Sequence, residues 1–242
     1  MGFLDFISGG SPAQKAQKLK AKITQKFGDA ANRQKAISQL GEMDIPESTA
    51  VLLHRFTISV DPQTTDQDEK DHTFDLITSR GDAAVAPTRD FLKRVEAASS
   101  WALKILGEIL PEDQVIATVI ENLERLGSEY TRDPEKKAVL LGHLEGRNDA
   151  RIGPTAMTFL EDMSDDIKLA ALRTLGSVKY EPAREPVLKL LTAEETARRV
   201  QTACVAMLCD CGFTVQGYRE KVEGRLSEPY YLDKSGAVKK RG

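Results

Sequence analysis

Apolar residues recur along the chain with the three- and four-residue spacing of amphipathic helices. Segment 32–41 carries alanine and isoleucine on one face and closes on Leu40-Gly41, and segment 166–176 repeats this arrangement and closes on Leu175-Gly176. Weaker copies of the pattern lie at 66–80, 100–107, 136–142 and 198–208. The spacing predicts a helix with one buried face in each of these places.

A second kind of helix is predicted between these segments, at 48–56, 86–95, 114–126, 153–160 and 185–191. Three of these helices begin near a proline (Pro87, Pro154 or Pro186), which the first turn tolerates because an N–H there has no helical partner. The alternation predicts about six helix–turn–helix units. Since one hairpin cannot bury both of its faces, we expect the units to stack.

Six apolar anchors close the second helices of these units, and they lie 37, 29, 35, 34 and 33 residues apart. The anchors are Leu40, Ile77, Leu106, Leu141, Leu175 and Leu208. With its Ala-x-x-x-Leu-Gly helix ends and proline-led first helices, the chain resembles HEAT-like repeat proteins, in particular the short-hairpin bacterial type also seen in phycobilin lyases. The resemblance implies an all-α fold, a right-handed α-solenoid of about six HEAT-like helical hairpins whose second helices line the concave side.

The resemblance covers residues 13–226 as one repeat domain and leaves the two ends outside it. Residues 1–12 form an apolar N-terminal segment, which we expect to cap the first hairpin; a weak membrane or partner anchor is the alternative. Residues 227–242 break the repeat and are expected to form a C-terminal tail with three consecutive cations at 239–241.

Composition and charge narrow the function classes. Aromatic residues make up only 6% of the chain, so the core must be built mainly from aliphatic side chains. The net charge of −3 weighs against a general attraction to nucleic acid or to an anionic membrane. The charge is unevenly distributed, with a net +5 over residues 1–40 and a net −6 over residues 41–80. No stretch reaches the ~18 apolar residues of a membrane span.

Cations recur on the predicted second helices at similar offsets, and they could form a basic stripe along the concave face. Together with the single tryptophan, the predicted partner-binding residues are Arg33, Lys70, Trp101, Lys104, Lys137, Arg173 and Arg199. Such a stripe would suit an acidic peptide, an acidic protein face or a phosphate backbone, and a protein partner with an acidic surface is the one we expect. The alternative is that these long side chains only solvate the helices. Trp101 has two interpretations as well, a core residue or an exposed hot spot.

The sequence contains no recognisable catalytic or metal-binding constellation. The three histidines lie in three different repeats, and Cys209 and Cys211 are two residues apart, so on a helix they point to different sides. The acidic segment 61–71 lacks the register and the glycine of a calcium loop, which favours a solvated loop that caps the next helix. We therefore expect no enzyme activity, no metal and no cofactor. Three closely spaced cysteines indicate reduced thiols and a cytoplasmic location.

These observations favour a non-catalytic scaffold or adaptor that binds a protein on its concave face. One alternative is a HEAT-like DNA glycosylase or another nucleic-acid-binding protein, and a single tryptophan and the acidic balance weigh against it. Another alternative is a bilin-lyase-like chaperone, for which the low aromatic content gives a flat pigment few stacking surfaces.

Overall fold

The computed structural model describes residues 10–131 and 133–241, and in this range the chain is mostly helical. The helices are α1 Pro12–Ile23, α2 Ala30–Gly41, α3 Pro46–Leu52, α4 Gln63–Thr78, α5 Val85–Arg94, α6 Ser99–Ile109, α7 Glu112–Leu126, α8 Glu135–His143, α9 Ile152–Thr158, α10 Asp165–Ser177, α11 Arg184–Thr192, α12 Arg198–Cys211 and α13 Arg219–Glu223. The strands are β1 Tyr230–Leu232 and β2 Val238–Lys240. The predicted all-α class is therefore confirmed, apart from this short strand pair.

The predicted apolar cap at 1–12 lies mostly outside the described residues, which begin at Gly10. The first two helices begin with side-chain caps. Ser11 and Gln14 form a capping box at the start of α1, and Asp29 accepts a hydrogen bond from the Ala31 amide at the start of α2. Each predicted helix segment is present as a helix.

The chain forms two compact units, Met1–Val115 and Ile116–Gly242. In the first unit, the first helices of the hairpins contact one another in order, α1 with α3 and α3 with α5. The second helices do the same, α2 with α4 and α4 with α6. Gly41 permits the close approach of α2 and α4, because a Cβ atom at this position would lie 2.8 Å from the Leu76 side chain.

In the second unit, the second helices again contact one another in order, α8 with α10 and α10 with α12. On the other side, α9 contacts α10, and α11 contacts α12. Gly153 on α9 lies directly against the ring of Tyr180, and a Cβ atom at this position would overlap that ring. A glycine is therefore required here by packing rather than by backbone conformation.

The core consists of the aliphatic residues that define the sequence pattern. All six predicted anchors are fully buried, with 0% of their surface exposed: Leu40, Ile77, Leu106, Leu141, Leu175 and Leu208. Each anchor removes a leucine- or isoleucine-sized apolar surface from water, which stabilises the fold by roughly 1.5–3 kcal/mol per side chain. The apolar positions that recur in the sequence are thus core positions.

The C-terminal tail at 227–242 contains a strand pair that the sequence pattern did not predict. Strands β1 and β2 pair antiparallel, with Tyr230 opposite Lys240 and Leu232 opposite Val238. Val238 is fully buried, and β2 contacts α12. The turn between the strands is held by the Asp233 carboxylate, which accepts hydrogen bonds from the Ser235 and Ala237 amides. Strands of three residues are too short to show a period of two in the sequence.

Over residues 10–131 and 133–241, none of the helices is both long and apolar enough to span a bilayer.

Candidate binding surface

Arg33, the first cation of the predicted basic stripe, is buried. Only 2% of its surface is exposed. Its guanidinium binds both oxygens of the Glu69 carboxylate at 3.0 and 3.1 Å and donates to the carbonyls of Gln25 and Gly28. All of these partners lie within the first unit, so Arg33 ties the α1–α2 turn to α4. The prediction that Arg33 contacts a partner is wrong, because its charge is already satisfied inside the protein.

Lys70 is also buried, and it belongs to the same ionic network on α4. Its ammonium lies 2.6 Å from the Asp66 carboxylate, whose other oxygen accepts from Arg55 at 2.7 Å and from the Val60 amide at 3.1 Å. Burial raises the pKa of the Asp66 carboxyl, but the hydrogen bonds from Lys70, Arg55 and Val60 outweigh it and hold the pKa below its ordinary value. Lys70 is thus a structural cation rather than a binding residue.

Asp66 and Glu69 also correct the interpretation of segment 61–71 as a solvated acidic loop. The helix α4 begins at Gln63, and both carboxylates face its buried side. Arg55, which is fully buried, bridges them, with its Nε 2.9 Å from Glu69. The carboxylates of this segment therefore serve the packing of α4.

Lys137 is the corresponding buried cation of the second unit. Its ammonium binds the Asp162 carboxylate at 2.7 Å and the Glu129 carbonyl at 2.6 Å, and 1% of the residue is exposed. It also lies 5.9 Å from the centre of the Phe159 ring. The prediction of Lys137 as a partner-binding residue is wrong for the same physical reason as for Arg33.

Arg173 and Arg199 are exposed, and both form ion pairs on the surface of the second unit. Arg173 lies 3.2 Å from Glu145, and Arg199 contacts Asp165 at 3.3 Å and Asp166 at 2.5 Å. These two arginines stay candidates for partner contact, but each is compensated by neighbouring carboxylates. The exposed face of α4, in turn, carries acids rather than cations: Asp68, Asp71 and Asp75. A continuous basic stripe is therefore absent from the described part of α4.

Trp101 and Lys104 lie together on α6 and form a patch with Phe74 of α4. We call these three residues the aromatic–lysine patch. The inner face of the half-buried Trp101 ring stacks on buried Phe56, with 4.6 Å between centroids and 18° between planes. The Phe74 ring lies 6.3 Å from Trp101, and the exposed Lys104 ammonium lies 4.6 Å from the Phe74 ring centre and 4.8 Å from that of Trp101.

The interpretation of Trp101 as a core residue is thus confirmed for one face of its ring, and its role in binding stays a prediction. Its inner face packs in the core. Its outer side, together with Phe74, borders solvent beneath the exposed side chain of Lys104. An ammonium over two aromatic rings stabilises the patch by roughly 0.5–1 kcal/mol at an exposed site. This energy is small enough for a binding partner to displace the Lys104 ammonium from the rings.

An acidic depression adjoins the patch on the same two helices. It is bordered by Asp75 and Thr78 near the end of α4, by Asp82 in the turn after α4, and by Glu108 near the end of α6. Among the residues that the structure describes, none of these three carboxylates has an ion-pair partner. Carboxylates near helix C-termini oppose the helix dipole, so this depression favours a cationic group.

The second unit has a groove of its own between α10 and α12, with a volume of about 360 Å³. Its floor is built from small and apolar side chains, and Glu145, Arg173 and Asp210 stand at its edges. The floor residues are Leu172, Gly176, Ala203, Ala206 and Met207. This groove has no aromatic side chain and no charge of one prevailing sign, so it offers fewer specific contacts than the aromatic–lysine patch.

The cysteines and histidines show no reactive arrangement in the described ranges, where no group of three His, Cys, Asp or Glu side chains could hold a metal ion. Burial raises the pKa of the Cys204 thiol to about 12, which keeps it protonated and unreactive. Burial and the nearby charge of Lys20 lower the pKa of His54, so this imidazole is neutral at physiological pH.

No family model, no curated protein and no solved structure matches this chain. Sequence reasoning identified Trp101 and Lys104 but missed Phe74, Asp75 and Glu108. Phase along the helices was the available signal, because Phe74 and Asp75 each lie three or four residues from Asp71 and from Thr78 on α4. The expected stacking of successive second helices implied that α4 lies beside α6, but it did not indicate which side chains of the two helices meet.

Proposed function

We propose that this chain is an α-solenoid of HEAT-like helical hairpins that works as a non-catalytic, cytoplasmic scaffold and binds a segment of a partner protein on its second helices. The order of the helices, the contacts of like helices within each unit and the six buried anchors support the repeat architecture. Stacked hairpins leave the outer sides of their second helices free for binding.

The observation that carries the proposal is the aromatic–lysine patch. Half-exposed tryptophan is among the residues that contribute most to protein–protein binding. Here the ring of Trp101 is fixed from below by Phe56, so little conformational entropy is lost when a ligand covers it. Phe74 widens the apolar surface beside it. The patch can therefore accept one apolar side chain of a partner.

The acidic depression next to the patch defines the charge of that partner. Asp75, Asp82 and Glu108 would attract lysine or arginine, and they would repel an acidic surface or a phosphate backbone. The proposed ligand is thus a segment with an apolar anchor followed by basic residues. This revises the acidic partner expected from the sequence, because that expectation depended on cations such as Lys70 and Lys137, which are buried.

Selection of phage-displayed peptides on the full chain tests the proposal. We expect enriched peptides to combine a large apolar residue with lysine or arginine. Synthetic versions should shift the fluorescence of Trp101, which is the single tryptophan of the sequence and so reports on this site alone. The double variant Asp75→Lys with Glu108→Lys should weaken binding roughly tenfold or more, because two attractive charges become repulsive.

The matched control is Glu121→Lys, a charge reversal of an exposed acid on α7, which is the predicted first helix of its hairpin and lies outside the patch and the depression. It should leave the affinity unchanged. Acidic consensus peptides, or basic peptides whose binding neither alters Trp101 emission nor responds to the Asp75/Glu108 reversal, would refute the aromatic–lysine patch as the binding site.

A further inference from the structure

A second candidate site lies in the second unit, between the first turns of α12 and the loop 224–230. The cavity there has a volume of about 520 Å³. Sites for small organic ligands typically span ~300–1,000 Å³. Charged and polar groups dominate its wall, and it lies away from the groove between α10 and α12, whose lining residues are different.

Two arginines line this cavity without a counter-ion. Arg198 is exposed on the first turn of α12, and Arg225 is half-buried in the loop after α13. Within residues 10–131 and 133–241, neither guanidinium has an ion-pair or hydrogen-bond partner. The neighbouring Arg199 shows the contrast, because Asp165 and Asp166 both bind it. Two uncompensated guanidinium groups on one cavity are the arrangement that an anion stabilises.

Some of the remaining polar groups of the wall already donate hydrogen bonds within the protein, and others do not. The hydroxyls of Thr196 and Thr202 and the side-chain amide of Gln201 already donate to backbone carbonyls. The hydroxyls of Ser227 and Tyr230 have no such partner among the described residues, so both can donate to a ligand. The free hydrogen-bonding capacity of the cavity is therefore mainly that of donors.

One acid, Glu228, also borders the cavity. Its carboxylate accepts from Arg241 at 3.1 Å, which compensates its charge. The pair is largely exposed, so its effect on a ligand is screened by solvent. The charge left over is that of Arg198 and Arg225, a net of two positive charges.

We infer that this cavity binds a small molecule that carries a phosphate monoester. A phosphate monoester bears a charge of about −1.5 to −2 at neutral pH and three acceptor oxygens, which match two guanidinium groups and two hydroxyls. A single carboxylate would leave one guanidinium uncompensated. Val205, Leu226 and Pro229 supply an apolar side of the wall against which the body of the molecule can pack.

Isothermal titration calorimetry on the full chain tests this with glycerol phosphate, adenosine monophosphate, inorganic phosphate and succinate. We expect at least one of the two esters to bind, and to bind more tightly than succinate. Arg198→Gln and Arg225→Gln should each weaken that binding roughly tenfold to a hundredfold, the effect of losing charge-assisted hydrogen bonds. Arg94→Gln, which removes an exposed arginine of α5 paired with Asp90, is the control and should change nothing.

Nuclear magnetic resonance of the unmodified chain provides a readout that does not depend on folded variants. In a titration with the ester, the side-chain N–H signals of Arg198 and Arg225 and the amides of Ser227 and Tyr230 should shift first. The inference is overturned if neither ester binds at millimolar concentration, if succinate binds as tightly as the esters, or if the shifts lie elsewhere in the chain. Since the aromatic–lysine patch lies on other helices, either outcome leaves the peptide-binding proposal unaffected.

Discussion

Lys137 is a charged residue in the interior of the second unit, and its position could not be predicted from the sequence. A lysine at this helical position has the same local pattern whether it faces solvent or the core. The deciding partner, Asp162, is 25 residues away along the chain. Arg33 and Glu69 are separated by 36 residues, so the same limit applies to them. Local periodicity carries no information on such pairs.

Replacing Lys137 with methionine should destabilise the fold by roughly 3–5 kcal/mol, because the Asp162 carboxylate would stay buried without its cation. Urea unfolding followed by circular dichroism measures the change. Adding Asp162→Asn should recover part of the loss, since the amide oxygen can still accept from the Ser164 backbone. The control is the exposed Lys104→Met, for which about 1 kcal/mol or less is expected. A Lys137→Met variant as stable as this control would contradict the assignment.

At the scale of helices, the sequence predicted most elements closely. Segments 136–142 and 166–176 correspond to α8 Glu135–His143 and α10 Asp165–Ser177. The helix α4 was the poorest match, and its first turns were interpreted as a loop. Most of its buried residues are polar, namely Asp66, Glu69, Lys70 and Thr73, alongside Ile77. A helix whose buried side carries charges shows no apolar periodicity, so pattern reasoning underestimates it.

Arg80 links the ends of three helices in the first unit. It follows α4 and donates to the carbonyls of Leu40, Gly41 and Met43 at the end of α2, and to the hydroxyls of Ser48 and Thr49 on α3. Burial lowers the pKa of this guanidinium, and the charge of Asp44 opposes that shift. The carbonyls at a helix end have no helical partners, so the half-buried Arg80 guanidinium satisfies several of them at once.

The variant Arg80→Met keeps the packing of the aliphatic stem and removes these hydrogen bonds. We expect the free energy of unfolding to fall by roughly 2–4 kcal/mol, because several acceptors lose their donor together. Thermal and urea unfolding measure this. Arg94→Met, which removes an exposed ion pair with Asp90, should cost less than about 0.5 kcal/mol. Equal effects of the two substitutions would show that Arg80 does not have this capping role.

At the scale of the whole molecule, each unit contains buried carboxylates that are paired with cations. The first unit has a network of Arg33, Arg55, Asp66, Glu69 and Lys70, and the second has the pair of Lys137 with Asp162. The sequence predicted the helical class and the core, and it located part of the candidate site through Trp101. Which charges are exposed depends on how helices stack, and so it was not predictable from single segments.

The Asp66 carboxylate predicts a loss of stability in acid. The pKa of Asp66 in the folded protein lies below its ordinary value near 3.8, so the ionised carboxylate stabilises the fold above that pH. This contribution is lost as the pH falls through the folded pKa. The urea midpoint should therefore decrease from about pH 6 to about pH 3.

The variant Asp66→Asn isolates this contribution. It should be less stable than the native chain at neutral pH and should lose less stability on acidification. The curves of urea midpoint against pH for the two proteins should therefore approach each other in acid. Parallel curves would mean that Asp66 does not contribute to the pH dependence, and a native chain that gains stability in acid would contradict the sign of the effect.

The contact between Gly153 and Tyr180 has a consequence for how this chain can change over evolutionary time. The tyrosine ring occupies the space that any side chain at position 153 would need. Position 153 can therefore not be enlarged while Tyr180 stays as it is, and a substitution of Gly153 becomes acceptable only after position 180 has lost its ring. The order in which mutations accumulate at these two positions is constrained by geometry alone.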